Sequence, residues 1–357
     1  MDIEEIQFYI EGVVLLIFGI FGTIGNVAAI VVFARQNLQK SFHALMLSLA
    51  AFDLLFITTC VLIYCIPQFS LDYAHSAGYK YSFPWVKSIA EVAMTGSIYF
   101  TMAITIERYV TVCHPFYRVS HSWPAKNIVL PIVAFSIIYN VPKFFELKTI
   151  EKGFIITDGQ MYPHYAWNLT DLRTNHYYYH IYKIWLNFLL MSLGPFIILV
   201  VLNALMLREL IKLAKDNNVT IGLGSSSNRS KDIILAKVSM AIVFVFILCH
   251  TFRWIPNVNE MLHLDEKDFE PEDWVNVITH VSHAALVFNS SVNFYIYFTK
   301  HWRTICNLPE SRASNQTEMT RLQKSSVVTH KISQISQTQQ LYLDDPNQTL
   351  LSSIETK

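Results

Sequence analysis

Residues 12–33 read GVVLLIFGIFGTIGNVAAIVVF, an apolar stretch of 22 residues without Asp, Glu, Lys or Arg. A helix needs about 20 such residues to cross the hydrocarbon core of a bilayer. The whole chain of 357 residues has the same character, with 52% hydrophobic and only 15% charged residues. Soluble domains carry about 25% charged residues, so this composition indicates a protein that crosses the membrane several times. Collagen-like, disulfide-rich and wholly disordered classes are excluded by 11 Gly, 5 Cys and 14% aromatic residues.

Six further apolar stretches predict membrane-spanning helices. Two of them contain one acidic residue each, Asp53 and Glu91. The two shortest end near basic residues: Lys143, whose side chain is expected to extend to the interface, and Arg253, which is tolerated only if it faces a cavity or a partner. The six stretches are residues 44–66, 88–106, 127–141, 184–207, 238–252 and 274–299.

Basic residues set the expected orientation, because Lys and Arg concentrate on the cytoplasmic side. They cluster near the ends of the fifth and sixth spans, which places residues 1–11 outside the cell as an extracellular N-terminus. Residues 12–306 are expected to form an all-α membrane protein, a seven-transmembrane helix bundle with a short amphipathic eighth helix. Residues 307–357 are rich in Ser, Thr and Gln and predict a disordered cytoplasmic tail.

Several polar side chains lie inside the predicted spans. Asp53 is in the middle of the second span, and Ser97 and Asn293 occupy similar depths in the third and seventh. These residues are expected to form one interior network, either around water or a sodium ion at Asp53 and Ser97, or as hydrogen bonds that only hold the bundle together. No other cofactor is expected. Glu91 and Arg253 lie at comparable depth and are expected to neutralise each other.

The end of the third span carries Glu107-Arg108-Tyr109. An acid beside a base at a helix end can be a local ion pair with a marginal contribution. Asp232, at the start of the sixth span, offers Arg108 a second partner. A pair between Arg108 and Asp232 would tie two spans together when closed, and its opening would be the two-state event that switching proteins use.

Residues near the outer ends of the spans suggest ligand binding more than catalysis. Many are acidic or aromatic, a combination that attracts cationic ligands, although a solvated acidic face and an aromatic belt give the same pattern. His280 and His283 are spaced to share a helical face and could bind metal together, or line a pocket separately. No HExxH, P-loop, GxSxG or paired CxxC motif is present, so neither an enzyme nor a nucleic-acid partner is expected.

Six short motifs occur in order from the first predicted span to the seventh. They are Gly25-Asn26, Leu49-Ala50-Ala51-Phe52-Asp53, Glu107-Arg108-Tyr109, Pro115-Phe116, Pro195, and Asn293-Phe294-Tyr295-Ile296-Tyr297 with Phe294 in place of the usual Pro. In this order they resemble rhodopsin-like (class A) G-protein-coupled receptors.

Longer strings resemble a narrower group, the invertebrate FMRFamide and myosuppressin-type neuropeptide receptors. These strings are Tyr139-Asn140-Val141-Pro142-Lys143-Phe144-Phe145-Glu146, Thr170-Asp171-Leu172-Arg173-Thr174-Asn175, Cys249-His250-Thr251-Phe252-Arg253 and Asn289-Ser290-Ser291-Val292-Asn293-Phe294. The resemblance implies a multi-pass plasma-membrane receptor for a short peptide ending in Arg-Phe-amide. From charge alone, Glu91, Glu146 or Glu260 is expected to bind the peptide Arg. Further candidate ligand-binding residues are Arg253, His283 and Tyr178.

The resemblance also implies how a signal would cross the membrane. A packing triad of Ile98, Pro195 and Phe246 would relay peptide binding, Arg108 would be released, and Phe116 would contact a heterotrimeric G protein. Receptor kinases and arrestin would act on the tail. The other residues expected in the activation switch are Asp53, Glu107, Tyr109, Asp232, Asn293 and Tyr297. Asn168 begins the one sequon placed in an outer loop and is expected to be a glycosylation site. Cys306, just past the seventh span, is either a palmitoylation site in contact with membrane lipid or a free thiol.

One departure from the resembled pattern concerns the outer loop. The usual disulfide joins the top of the third span to the second outer loop, but Phe83 stands at the expected Cys position and residues 146–183 contain no Cys.

Further departures lie inside the spans. His250 and Phe252 replace the usual Trp and Pro of the sixth span, and Asn203 replaces the usual Tyr of the fifth. Alternatives remain a small-molecule or lipid receptor of the same fold, an ion-coupled transporter using Asp53 and Glu91, and a structural membrane protein.

Overall fold

The computed structural model describes residues 3–35, 41–114, 116–117, 124–157, 160–217, 226–262 and 272–306. Seven long helices and one β-hairpin account for most of them. The helices are α1 (Ile3–Ala34), α2 (Ser41–Phe69), α3 (Ala77–Cys113), α4 (Lys126–Phe145), α5 (Tyr178–Lys212, continuing to Asn217), α6 (Ser226–Leu262) and α7 (Asp273–Cys306).

Short irregular pieces complete the helical part. Two short helices, Leu71–His75 and Asp171–Thr174, precede α3 and α5, and α4 ends in the 3₁₀ turn Val141–Phe145. The segments wound as π-helix are Phe8–Val14 in α1, Val61–Cys65 in α2, and Tyr178–Leu186 and Phe188–Leu193 in α5.

Six of these helices, α1 to α6, are long and apolar enough to cross a membrane by length and composition among the described residues. The seventh predicted span lies in α7, which has 34 residues and is not among these six. Its polar side chains face the interior: Ser282, Asn289, Ser290, Ser291 and Asn293 are all buried. The average hydropathy of α7 is therefore lowered by polar side chains that do not face lipid.

Helix α3 is the centre of the bundle, because α2, α4, α5 and α6 all pack against it. The main hydrophobic core includes Ile98 of α3 and Phe246 of α6, which are 1% and 3% exposed. We call the end of the bundle where α3 begins the outer end, and the end that carries Glu107 and Arg108 the inner end. A smaller cluster at the inner end joins Met206 of α5 to Ala236 of α6.

The predicted spans lie within these helices, which extend past the apolar stretches at several ends. Helix α7 extends to Cys306, and residues 273–306 contain neither Gly nor Pro to end it. The expected short eighth helix stays a prediction. The chain divides into two units, residues 1–300 and 301–357, and the predicted tail, 307–357, lies outside the described residues.

A β-hairpin between α4 and α5 was not expected from the sequence. Strand β1 (Leu147–Thr157) pairs antiparallel with β2 (Gln160–Leu169). The register shifts between Glu151 and Phe154, where Gly153 adopts a φ of 99° that favours glycine. A sequence signal was available, because Asp158-Gly159 separates two stretches rich in β-branched and aromatic residues, a typical hairpin pattern.

Candidate functional site

A cavity of about 150 Å³ lies between α2, α3, α6 and α7 in the outer half of the bundle. Its size is that of a cavity known to hold a single benzene ring. Apolar, aromatic and charged side chains all contribute to its wall, so it offers both packing and polar contacts. The lining residues are Phe56, Cys60, Tyr64, Lys87, Ala90, Glu91, Met94, Arg253, Pro256, Asn257, Thr279, Ser282, His283 and Leu286.

Glu91 is held at the wall of this cavity by two cations. Lys143 Nζ lies 2.9 Å from Glu91 Oε2, and Arg253 Nη2 lies 3.7 Å from the same oxygen. The predicted pairing of Glu91 with Arg253 is therefore present, and Arg253 faces a cavity as its span required. The expectation for Lys143 was wrong: its side chain is buried instead of reaching the interface, because the desolvated Glu91 carboxylate needs a close partner.

A second charged cluster lies at the outer end, where two carboxylates share one guanidinium. Arg173 Nη2 donates to Glu260 Oε1 at 3.3 Å, and Arg173 Nε lies 3.9 Å from Glu146 Oε2. Tyr178 Oη donates to Glu146 at 2.8 Å, and Tyr179 Oη donates to Glu260 at 3.0 Å. The Arg173 guanidinium also lies 4.5 Å from the centre of the Tyr179 ring. Together these groups surround a planar cation with acceptors and an aromatic face.

The β-hairpin contacts α3 at the position where the resembled receptors have their disulfide. Phe83 stacks on Trp167 of β2, with ring centres 4.0 Å apart and planes at 22°. Trp167 Nε1 and Thr149 Oγ1 both donate to the carbonyl oxygen of Lys80, at 2.9 and 2.8 Å. The Lys80 ammonium lies 4.5 Å from the Trp167 ring centre. Stacking and hydrogen bonding thus occupy the place of a covalent bridge.

The interior network at Asp53 is present. Ser97 Oγ donates to Asp53 Oδ1 at 2.6 Å, and Asn293 Nδ2 donates to Asp53 Oδ2 at 2.8 Å. Asp53 is fully buried, and the Oδ1 atoms of Asn289 and Asn293 are buried without a hydrogen-bond partner. A buried carboxylate with oxygen-bearing neighbours offers the kind of ligand that hard cations prefer.

The inner end holds Arg108 against its own neighbour. Arg108 Nε donates to Glu107 Oε2 at 2.7 Å, Ser41 Oγ donates to Glu107 Oε1 at 3.4 Å, and the guanidinium lies 4.2 Å from the Phe42 ring centre. Tyr109 Oη lies 3.3 Å from a ring nitrogen of His114. The side chains of Asp232, Tyr297 and Cys306 lie outside the described residues, so the predicted pair between Arg108 and Asp232 stays a prediction.

Residues expected to relay a signal lie between these two ends. Ile98 and Phe246 belong to one core cluster, and Pro195 is buried in α5. His250, which replaces the usual Trp, is buried and stacks on Phe246 with ring centres 3.9 Å apart. At the surface, Phe116 is 88% exposed, and Asn168 is exposed on β2.

Comparison with known proteins identifies this arrangement. The model of the family of seven-transmembrane receptors of the rhodopsin type matches residues 25–297. The chain belongs to the rhodopsin family. The match extends from Gly25 in α1 to Tyr297 in α7, so it covers all seven helices and confirms the predicted seven-helix bundle.

Similar receptors include several for peptides. The chain is 30% identical to the FMRFamide receptor of Drosophila melanogaster over 83% of its length, which is 52% of that protein. It is 27% identical to an FMRFamide peptide receptor of Caenorhabditis elegans, in an alignment that covers 86% of this chain and 72% of the relative. It is 24% identical to somatostatin receptor type 4 of Rattus norvegicus, in an alignment that covers 77% of this chain and 65% of the relative. The chain thus spans about half the length of the Drosophila protein.

These findings confirm the resemblance to rhodopsin-type and FMRFamide receptors. The family is one of seven-transmembrane receptors, so the transporter alternative is not favoured. Trp167 escaped sequence reasoning. Lys143 and Arg173 belong to two of the strings that carry the resemblance, but nothing in the sequence indicated which acids they would pair with. Trp167 lies in the unexpected hairpin.

Proposed function

We propose that this receptor binds a short peptide ending in Arg-Phe-amide at its outer end and signals through a heterotrimeric G protein at the plasma membrane. Residues 1–11 would face the extracellular side. Two similar receptors carry FMRFamide in their names, which supports this ligand class. The alternative of a small-molecule or lipid ligand has no specific contact in its favour among the described residues.

The observation that carries the proposal is the cluster around Arg173. Glu146 and Glu260 already hold a guanidinium, with Tyr179 under its plane. An incoming arginine has the same shape, charge and donors as Arg173. We propose that the peptide Arg takes over these carboxylates, while Tyr178 continues to donate to Glu146 and keep its carboxylate oriented.

The cavity next to this cluster suits the rest of the peptide. A phenylalanine ring fits a cavity of about 150 Å³, where Phe56, Met94 and Leu286 provide apolar contact. Glu91 is neutralised by Lys143 and Arg253, so it is a poor partner for a second guanidinium. Arg253 instead can donate to a carbonyl oxygen of the peptide, and His283 lines the same cavity.

Binding at the outer end would shift the receptor between two pre-existing states. The proposed relay runs through Ile98, Pro195 and Phe246 to Arg108, which would leave Glu107 and admit a G protein that contacts the exposed Phe116. A sodium ion at Asp53, bound also by Ser97 and the spare amide oxygens of Asn289 and Asn293, would stabilise the resting state. Receptor kinases, arrestin, palmitoylation of Cys306 and glycosylation of Asn168 complete the proposal.

The test is a calcium or cAMP reporter assay in cells with measured surface expression. The panel contains an Arg-Phe-amide peptide, its free acid and its Lys-Phe-amide analogue. We expect the first to be the most potent, because two similar receptors are named for an amidated peptide and Lys does not match the bidentate carboxylate geometry. Silence to every amidated peptide at normal surface expression would overturn the proposal.

Matched variants assign the site within the same assay. Glu146→Gln with Glu260→Gln should lower the potency of the Arg-Phe-amide peptide by about tenfold or more, since each 1.4 kcal/mol is a factor of ten. Glu151→Gln removes an exposed acid from β1 and should leave potency unchanged. Equal losses in both variants would show that only the general negative charge of this end matters.

A further inference from the structure

Glu11 joins α1 to α7 through two histidines. His280 Nδ1 lies 2.9 Å and His283 Nδ1 lies 2.7 Å from the same oxygen, Glu11 Oε1. The three ligating atoms all lie within 4.8 Å of one another. The two histidines are three residues apart and share one face of α7, so a side chain from α1 and two from α7 converge on one point.

The carboxylate in this cluster is desolvated and fixed in direction. The Glu11 side chain is 2% exposed, whereas those of His280 and His283 are 15% and 25% exposed. Gln7 Nε2 donates to the other carboxylate oxygen, Oε2, at 2.9 Å. The His283 ring is stacked on Tyr64, with ring centres 4.2 Å apart. These contacts hold Oε1 and the ring of His283 in place, as supporting residues do at metal sites.

We propose that Glu11, His280 and His283 bind a divalent cation of the zinc class. Two imidazole nitrogens and one carboxylate form a donor set that holds zinc with three protein ligands and one open position. Zinc ligands at about 2.0–2.1 Å in a tetrahedron lie about 3.3 Å from each other, so each Nδ1 atom needs to move away from Oε1 by only about half an ångström. Imidazole donors favour zinc or copper over calcium or magnesium.

The open position gives this ion a way to influence ligand binding. His283 also lines the outer cavity, so the fourth ligand, water or a donor group of a bound molecule, would lie at the edge of that cavity. The ion would also hold α1 against α7. This consequence for peptide potency rests on the proposed function, whereas binding of the ion itself does not.

Thermal unfolding of the purified full chain, without peptide and without a histidine tag, tests the binding. Addition of ZnCl₂ should raise the midpoint by about 3 °C or more at saturation, since an ion that binds only the folded state stabilises it by mass action. EDTA should reverse the rise, and MgCl₂ should not produce it. A wild-type chain whose midpoint does not respond to zinc overturns the proposal.

Variants locate the ion. His280→Gln with His283→Gln should abolish the zinc-dependent rise, and Glu11→Gln, which keeps the size of the side chain and removes its charge, should reduce it at least severalfold. His176→Gln with His180→Gln is the matched control, because these rings also lie close together, with centres 4.0 Å apart, but in a different part of the chain. A rise that persists in the first variant, or disappears in the control, places zinc elsewhere and overturns the proposal.

The peptide assay separates the two proposals. If Arg-Phe-amide peptides are inactive but zinc raises the unfolding midpoint through Glu11, His280 and His283, the metal site stands and the proposed ligand fails. If peptides are active but zinc does not change the unfolding midpoint, the metal site is rejected and the proposed peptide ligand stands. Where both hold, zinc should shift peptide potency in the wild type and not in Glu11→Gln.

Discussion

At the scale of single residues, the charged groups of the outer half form pairs that a bilayer environment enforces. Glu91, Lys143 and Arg253 illustrate this, since an unpaired charge at that depth is costly. The side chains of Lys143 and Arg253 are 7% and 14% exposed. The closer cation, Lys143, is therefore expected to contribute more to stability than Arg253.

Replacement of Lys143 tests this ranking. Lys143→Met keeps the length of the side chain and removes the ammonium, leaving Glu91 with Arg253 at 3.7 Å. We expect the free energy of unfolding to fall by about 3 kcal/mol. This value is at the lower end of the range for breaking a buried ion pair, because one cation remains beside Glu91. The measurement is the thermal midpoint of the purified chain. Lys148→Met, at an exposed position of β1, is the control and should change it little; equal effects would contradict the burial argument.

At the scale of elements, the β-hairpin is held to α3 by aromatic and hydrogen-bond contacts. Trp167 both stacks on Phe83 and donates to the Lys80 carbonyl. Aromatic pairs contribute about 1 kcal/mol beyond their buried area, and a hydrogen bond contributes a similar amount. These contacts can open and close reversibly, whereas a disulfide in the same place would not open under native conditions.

Two substitutions of Trp167 separate the contributions. Trp167→Ala should remove about 2 kcal/mol of local stability, so that amide hydrogen exchange of β1 and β2 becomes faster. Trp167→Phe keeps a ring for stacking and loses the N–H, so it should lie between wild type and Ala. Exchange in α2 serves as the internal reference and should not change. A hairpin whose exchange is the same in all three proteins would contradict this anchoring.

Helix α7 shows why composition and packing must be considered together. Its buried polar residues serve the bundle interior: Asn293 donates to Asp53, and Ser291 donates to the carbonyl of Phe18 in α1. Close packing on the α1 side requires Gly22, because a Cβ there would overlap Ser291 and Ile57. A helix with this role is less apolar than one that faces lipid.

At the scale of the whole molecule, the outer sites and the inner end are connected through α3. This helix carries Glu91 near the outer cavity, Ser97 at the interior network, and Arg108 at the inner end. It also packs against α2, α4, α5 and α6. A rearrangement of α3 against its neighbours can therefore connect the two ends without a long-range electrostatic effect.

The inner end supplies the test of this connection. Glu107→Gln should weaken the hold on Arg108 and raise basal signalling about fivefold, which corresponds to about 1 kcal/mol between two states. Asp232→Ala should raise it too if the pair predicted from the sequence forms. Basal reporter output at matched surface expression is the measurement, with Glu209→Gln on α5 as the control. Unchanged output in Glu107→Gln would exclude its pair with Arg108 as a restraint on the resting state.

The sequence by itself determined the membrane class, the seven spans and the family, because these depend on the length of apolar stretches and on short motifs at fixed depths. It also indicated that Asp53 has partners in other spans, since a buried carboxylate requires them. The hairpin was not predicted, although Asp158-Gly159 is a hairpin signal, because an isolated two-stranded hairpin is only marginally stable and this one depends on its contacts with α3.

Only the tertiary structure decided which charges meet. Arg173 lies between Glu146 and Glu260, Lys143 displaces Arg253 as the closest partner of Glu91, and Glu11 reaches across to α7. These partners are separated by 27 to 272 positions along the chain, so no local pattern could reveal them. Charge and depth define which residues need a partner. The rotation and packing of the helices determine which partner each residue contacts, and these contacts form the sites of this receptor.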